Sequence, residues 1–137
     1  MVPSAHMTTV VNPDTLAAPK GYSNGLLMDA GRVLFVAGQI GWDRHERVVS
    51  PELGAQFEQA LRNILDVVRE AGGEAEHIGR LTIYVKSKRD YLEQTKAIGR
   101  AYRALMGKHF PAMALVEVAD LLEAGALVEI EATAVIP

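Results

Sequence analysis

The 137-residue sequence contains no cysteine. This absence excludes a disulfide framework, a thiolate zinc site and a cysteine nucleophile, and it fits a reducing compartment. The sequence also has no apolar run near the roughly 18 residues that a membrane-spanning helix needs. Its N-terminus has neither a basic start followed by an apolar stretch nor the composition of a transit peptide. We therefore expect a cytoplasmic protein without a membrane partner.

The chain has fewer basic than acidic residues, and its net charge is −3. An acidic chain has no overall attraction to nucleic acid. The basic segment 86–90 contains no aromatic side chain on which bases could stack. The four histidines lack the spacing of metal ligands; they are His6, His45, His77 and His109. The sequence therefore predicts no nucleic-acid partner and no metal site.

The composition that is present is typical of one globular domain. Apolar residues make up 49% of the chain and charged residues 23%, and the length suits a single domain. Residues 1–24 are rich in Pro, Thr, Asn and Gly, which predicts little regular structure. We place the domain boundary after residue 20, which gives an arm (1–20) and a single domain (21–137). The letters VPSAHM near the start resemble a cloning remnant, so we assign no function to His6.

Two amphipathic helices are predicted. Ser-Pro-Glu at 50–52 is a start signal, because Ser caps free N–H groups, Pro suits the first helical position and Glu favours the positive end of the dipole. Apolar residues then recur at helical spacing until Gly72-Gly73. The second helix is predicted to begin at Asp90, with Glu93 in capping-box spacing, and to end at Gly107.

Five strands are also predicted. The first two form a hairpin that turns near Ala30-Gly31. The predicted strand segments are 26–30, 31–42, 78–87, 112–121 and 126–135. The order is β-β-α-β-α-β-β. Two helices of this kind cover one face of a single sheet, so the predicted fold class is α+β.

The last strand has one wholly apolar face and one that carries Glu129 and Glu131, because successive side chains point to opposite sides. These two glutamates are either wetted by solvent or placed in a cleft. The predicted uncovered face of the sheet also carries Met113, Leu115, Leu127 and Val135. A face that apolar does not sit in water, so we predict that it packs against other copies in a closed oligomer.

Six segments, in this order and spacing, resemble the RidA/YjgF family. They are GYSNG (21–25), VAGQIG (36–41), FEQALRNILDVVREAGG (57–73), LTIYVKSKRDY (81–91), HFPAMALVEVADL (109–121) and VEIEATAV (128–135). The resemblance implies a chorismate-mutase-like fold and a homotrimer that packs the sheet face without helices inside. It also implies an enamine/imine deaminase without metal or cofactor, which hydrolyses 2-imino acids to 2-keto acids and ammonia in clefts between subunits.

The resemblance implies roles for individual residues. Tyr22 matches the family tyrosine at the cleft, and Gly38, Gln39 and Ile40 match the loop beside the ligand. Glu129 matches the glutamate that orients the attacking water. Imine hydrolysis needs water activated close to an electrophilic carbon, and a positioned carboxylate can do this.

The chain also departs from the family pattern. Deaminating members have Pro-Ala-Arg-Ser where this chain has Pro-Ala-Met-Ala at 111–114. The family arginine grips the substrate carboxylate with two donors, whereas Met113 cannot donate a hydrogen bond. Ala37 replaces a serine, and Thr95 or Lys96 stands where an asparagine is expected.

These changes predict a more apolar pocket formed by Met113, Phe110 and Trp42. Such a pocket favours a small-molecule substrate without a carboxylate at that position, and an aromatic one would fit. His109 is either a base in this cleft or a helix-end residue.

Three functions compete. A deaminase with altered substrate choice is supported by Glu129, Tyr22 and the retained loop, and it is the function we favour. A trimer that binds a metabolite or a partner protein without chemistry is supported by the missing arginine. A ribonuclease or translation inhibitor is disfavoured by the acidic charge and by the absence of a histidine pair at recognisable spacing.

Overall fold

The computed structural model describes residues 7–137, so the segment that resembles a cloning remnant, including His6, lies almost wholly outside the described residues. The strands are β1 Thr8–Val11, β2 Gly25–Met28, β3 Arg32–Ile40, β4 Ile78–Val85, β5 Ala112–Glu117 and β6 Val128–Ile136. The α-helices are α1 Leu53–Glu70, α2 Lys88–Glu93 and α3 Thr95–Met106, and a 3-10 turn spans Ala75–His77. No helix among these residues is both long and apolar enough to cross a membrane.

The main sheet has the strand order β3-β6-β4-β5. The β3–β6 and β6–β4 pairs are antiparallel, whereas β4 and β5 are parallel. Helices α1 and α3 pack on one face. The apolar side of β6 meets them there, as its alternation predicts; its residues Val128, Ile130, Ala132 and Ala134 are at most 4% exposed. The α+β prediction is confirmed.

The predicted hairpin at Ala30-Gly31 is wrong. Strand β2 pairs with β1, from Thr8↔Met28 to Val11↔Gly25, and β3 pairs with β6 instead. The segment 8–11 is therefore a strand and not an irregular arm, because its β-branched residues pair with residues 14 to 20 positions away. Gly31 lies so close to the end of β6 that a Cβ there would be 2.5 Å from the Ile136 carbonyl oxygen.

Helix α1 starts later than its signal predicts. Its N-cap is Glu52, and the Ser50 hydroxyl accepts the Glu52 N–H at 3.0 Å, so Ser50 closes a turn before the helix and not its first turn. The end is as predicted. Gly72 has φ +92, a left-handed conformation that glycine adopts without steric cost.

The second helix is two helices. Strand β4 leads to Ser87, whose hydroxyl accepts the Asp90 N–H at 3.1 Å, so α2 begins at Lys88 and Asp90 is inside it. The predicted start at Asp90 with a capping box to Glu93 is therefore wrong. Gln94 separates α2 from α3, and its side-chain oxygen accepts the Gly54 N–H at 2.9 Å. This hydrogen bond holds the junction between α2 and α3 against the start of α1.

The face of the sheet without helices, here the open face, differs from the prediction at three residues. Met113 is paired with Leu81 and Leu115 with Ile83, so both lie on the helix side, and Leu127 also packs against the core. The residues of the open face include Val33, Phe35, Tyr84, Val116, Glu129, Glu131, Thr133 and Val135. Its apolar members include Phe35, which is 80% exposed, and Val33, which is 57% exposed.

Candidate functional site

Glu129 lies on the open face, half-buried in β6 between Tyr84 of β4 and Ile40 of β3. The β3–β6 register shifts between Val36 and Gln39, and this irregularity places Gly38 against the glutamate. A Cβ at position 38 would be 2.9 Å from Cδ and 3.0 Å from Oε1 of Glu129. Glycine is therefore required if the carboxylate is to keep its place. The structure brings these two predicted residues together.

Glu131 and Glu129 differ in the hydrogen bonds that their carboxylates accept within residues 7–137. The Tyr84 hydroxyl donates a hydrogen bond to Oε1 of Glu131 at 2.9 Å. This bond is the main reason that the pKa of Tyr84 is raised, with smaller contributions from burial and from the charges of both glutamates. No residue within 7–137 donates a hydrogen bond to the Glu129 side chain. Glu131 therefore has one carboxylate oxygen engaged by Tyr84, whereas neither oxygen of Glu129 accepts a hydrogen bond from a described residue.

In the β3–β6 register Ile40 lies opposite Glu129, whereas Gln39 lies opposite the buried Ile130. Ile40 is 6% exposed, so only its backbone can reach a ligand. The Gln39 amide donates to the Ala37 carbonyl at 3.2 Å. Together with Trp42, Gln39 lines a polar recess of about 420 Å³ on the α1 side of the loop. Within one chain, Trp42 and Met113 therefore line different cavities.

Met113 and Phe110 line a second cavity, here the Met113 pocket, between β5, α3 and the loop before β2. Its volume is about 170 Å³, and its other apolar walls include Phe57, Ile83 and Ile98. Tyr102 stacks on Phe110 with the ring centroids 5.5 Å apart and 13° between their planes. The two predicted residues therefore share one pocket, and stacked rings form part of its wall.

The phenol of Tyr102 is hydrogen-bonded to the backbone of the same chain. It donates to the His109 carbonyl oxygen at 2.6 Å, and burial raises its pKa, so it stays neutral. His109 in turn places Nε2 2.7 Å from the Ile78 carbonyl oxygen. Because a carbonyl only accepts, Nε2 carries the proton. Of the two roles that the sequence left open, a base in the cleft or a helix-end residue, this contact favours the structural one for His109.

Tyr22 is held beside the Met113 pocket by its neighbours. The Ser23 N–H donates to the Pro111 carbonyl at 3.2 Å, and the Ser23 hydroxyl donates to the Phe110 carbonyl at 2.5 Å. Gly21 lines the pocket itself. Tyr22 itself is 40% exposed.

The predicted residues thus form two groups within one chain. Gly38 and Glu129 lie on the open face, whereas Phe110 and Met113 lie on the helix side of β5, with Tyr22 nearby. Strand β4 separates β6 from β5. One chain by itself therefore does not hold both groups on the same side of the sheet.

Sequence reasoning missed Arg103, which also lines the Met113 pocket. The signal was its spacing: it follows Gly99 by four residues on α3 and so shares a helix face with it. Thr95 lines the pocket as well. Within residues 7–137, no group of three or more His, Asp or Glu side chains could hold a metal ion.

Comparison with known proteins gives a consistent result. Residues 13–136 match the family model described as Endoribonuclease L-PSP. A 2-iminobutanoate/2-iminopropanoate deaminase of Salmonella typhimurium is 32% identical over 130 residues, which cover 93% of this chain and 96% of the relative.

Solved structures agree with these matches. The Rid-family protein YyfB of Yersinia pestis, whose function is unknown, has a TM-score of 0.83 and 32% identity, with 94% of this chain and 98% of that chain covered. The YjgF gene product of Escherichia coli has a TM-score of 0.65 and 32% identity, with 83% and 87% covered.

Proposed function

The chain belongs to the Endoribonuclease L-PSP family, also called RidA/YjgF, and from this premise we propose that it hydrolyses a reactive enamine or imine. Relatives with 2-iminobutanoate/2-iminopropanoate deaminase activity support the reaction class. The observation that carries the proposal is the Glu129 carboxylate, which lies against Gly38 and accepts no hydrogen bond from a residue in 7–137.

In the proposed reaction, Glu129 accepts a proton from a water molecule while the water oxygen attacks the imine carbon. The electron pair of the C=N bond moves to nitrogen, which takes up a proton from solvent and yields a carbinolamine. The protonated Glu129 then returns its proton to the amine and the carbon–nitrogen bond breaks. The carbonyl forms as the carbinolamine hydroxyl releases its proton to solvent. One water is consumed and one ammonia released for each imine, and an enamine enters after tautomerising to the imine. Tyr22 completes the site at the pocket mouth.

The reaction site is proposed to lie between subunits of a homotrimer. Glu129 and Met113 are on different sides of one sheet, so a neighbouring chain must bring the two groups together. The open face exposes Val33 and Phe35, and burial of such apolar area favours association. The proposed interface is therefore this face.

Phe35→Asp is expected to dissociate the protein to monomers, because a carboxylate buried at an apolar interface loses its hydration without a partner. The mass in solution, measured by light scattering coupled to size exclusion, is expected to fall to one third. Leu92→Asp is the matched control, since Leu92 is an exposed leucine of α2 on the helix side, and its variant is expected to keep the native mass. A Phe35→Asp protein of unchanged mass would exclude the open face as the interface.

The substrate is proposed to differ from a simple 2-imino acid. The family resemblance places an arginine where this chain has Met113, and a thioether donates no hydrogen bond. Loss of a charged hydrogen bond is worth about 1.5–3 kcal/mol, which corresponds to about a tenfold to hundredfold loss of affinity. A carboxylate attached directly to the imine carbon therefore finds no anchor on β5.

Met113→Arg is expected to raise hydrolysis of 2-imino acids by about tenfold or more, because the guanidinium restores a two-pronged carboxylate donor. The imines are generated in situ from several amino acids, and loss of a trapped adduct is followed. Met113→Gln, similar in length but uncharged, controls for added polarity and is expected to stay at the wild-type level. Wild type already active on these imines would refute the substrate proposal.

The second candidate is a trimer that binds a metabolite without chemistry. Met113 in place of an arginine favours it, because an apolar pocket can bind without turning over a ligand. Inactivity of wild type and of Met113→Arg on every imine tested would favour this candidate over the deaminase.

A further inference from the structure

The Met113 pocket has room for one ring-sized apolar group. Its volume is about 170 Å³, and an apolar cavity of about 150 Å³ is known to bind benzene. The stacked pair Tyr102 and Phe110 forms part of the wall, and the Met113 thioether makes favourable contacts with aromatic rings. The pocket is therefore suited to a phenyl-sized ring or a branched aliphatic chain.

Arg103 adds a positive charge to this apolar pocket. Its guanidinium lies above Gly99, where a Cβ would be 3.2 Å from Nη1 and 3.8 Å from Cζ. The side chain is exposed, and no residue in the described range 7–137 forms a hydrogen bond or an ion pair with its guanidinium. By contrast, Arg62 and Arg89 are each paired with a glutamate four residues away. The Arg103 donors are therefore available to a ligand.

We propose that Arg103 is the anion-binding residue of the Met113 pocket, and that the ligand combines a ring-sized apolar body with a carboxylate. A guanidinium matches a carboxylate with two parallel hydrogen bonds. The charge stands on α3, on a different wall from Met113 of β5. The carboxylate of the ligand is therefore separated from the reacting carbon by the apolar body, unlike that of a 2-imino acid.

This inference rests on the proposed function, because it names the substrate class of the same site. It explains how a pocket with methionine in place of the expected arginine can still select an acid. Gly99 is part of the arrangement, since any larger residue at that position displaces the guanidinium by a few tenths of an ångström or more.

Binding of two stable probes tests the proposal without any turnover. 3-Phenylpropanoate and its neutral amide are titrated into the full-length protein by calorimetry. Wild type is expected to bind the carboxylate at least about tenfold more tightly than the amide, as a charged hydrogen bond implies. Arg103→Gln is expected to bind the two probes equally, and Gly99→Ala to reduce the preference. Both substitutions suit a helix, and thermal unfolding verifies the fold.

Arg100→Gln is the matched control. Arg100 is on the same helix but lines the groove between α3 and α1, so its variant is expected to keep the full preference for the carboxylate. Equal binding of both probes by wild type, no binding of either, or a retained preference in Arg103→Gln would each overturn the proposal. Carboxylate preference without imine hydrolysis would refute the proposed function alone, and hydrolysis without that preference would refute only this inference.

Discussion

Glu129→Gln is expected to lower imine hydrolysis by about 10²–10⁴-fold, the usual contribution of a positioned general base. The amide has the shape of the carboxylate but cannot accept a proton from water. The fold is expected to be unchanged, because no residue in 7–137 donates a hydrogen bond to Glu129 and the side chain is only half-buried. Initial rates on the best imine substrate measure the effect.

Glu131→Gln is the matched control, two residues further along the same face of β6. Its side chain accepts the Tyr84 hydroxyl, and a glutamine oxygen can accept that bond equally well, so activity is expected within about twofold to threefold of wild type. Equal losses in both variants would mean that the charge of the open face matters and not a particular base. Full activity in Glu129→Gln would remove this residue from the mechanism.

Gln56→Leu is expected to lower the free energy of unfolding by about 4 kcal/mol. The Gln56 side chain is completely buried in α1 and makes three hydrogen bonds to loop backbone. Its amide nitrogen donates to the carbonyls of Ser50 at 2.8 Å and Gly125 at 2.9 Å, and its oxygen accepts the Leu127 N–H at 2.8 Å. Leucine leaves these groups unpaired, at about 1–3 kcal/mol for each buried group that stays dry.

Urea denaturation monitored by circular dichroism measures this loss. Gln59→Leu, the same substitution on the same helix, is the control; the Gln59 amide donates to Asn63 at 2.8 Å and both side chains are half-buried, so a loss below about 1 kcal/mol is expected. A similarly small loss for Gln56→Leu would mean that water replaces the missing amide. Leu127 is two residues before Glu129, so the Gln56 hydrogen bonds also hold the segment that leads to the proposed base.

Several features of the fold follow directly from local chemistry. The alternation of β6 predicts which side is buried, because the two-residue period of a strand separates Val128 and Ile130 from Glu129. The end of α1 at Gly72 follows from a backbone conformation that other residues rarely adopt. The residues of the candidate site that belong to the family pattern, Glu129 and Gly38, were also identified from sequence, and the structure places them side by side.

Other features depend on partners far away in the chain. Strand β2 could pair with β1 or β3, and local sequence favours the adjacent β3. Instead β2 pairs with β1, while β3 pairs with β6 and forms the edge of the main sheet. Met113 belongs to a segment that is apolar at both alternating sets of positions, so its side of the sheet has no local signal. The parallel register with β4, which pairs Met113 with Leu81, puts it on the helix side.

The sequence by itself therefore determined the family, the α+β class and most residues of both halves of the candidate site, because these depend on spacing and side-chain chemistry. Only the tertiary structure decided that the halves occupy opposite sides of one sheet, and that Arg103 joins Met113 at a pocket formed across three elements. The physical reason is that strand register and helix packing are long-range: each places residues tens of positions apart within contact of one another, through hydrogen bonds and burial that no local segment encodes.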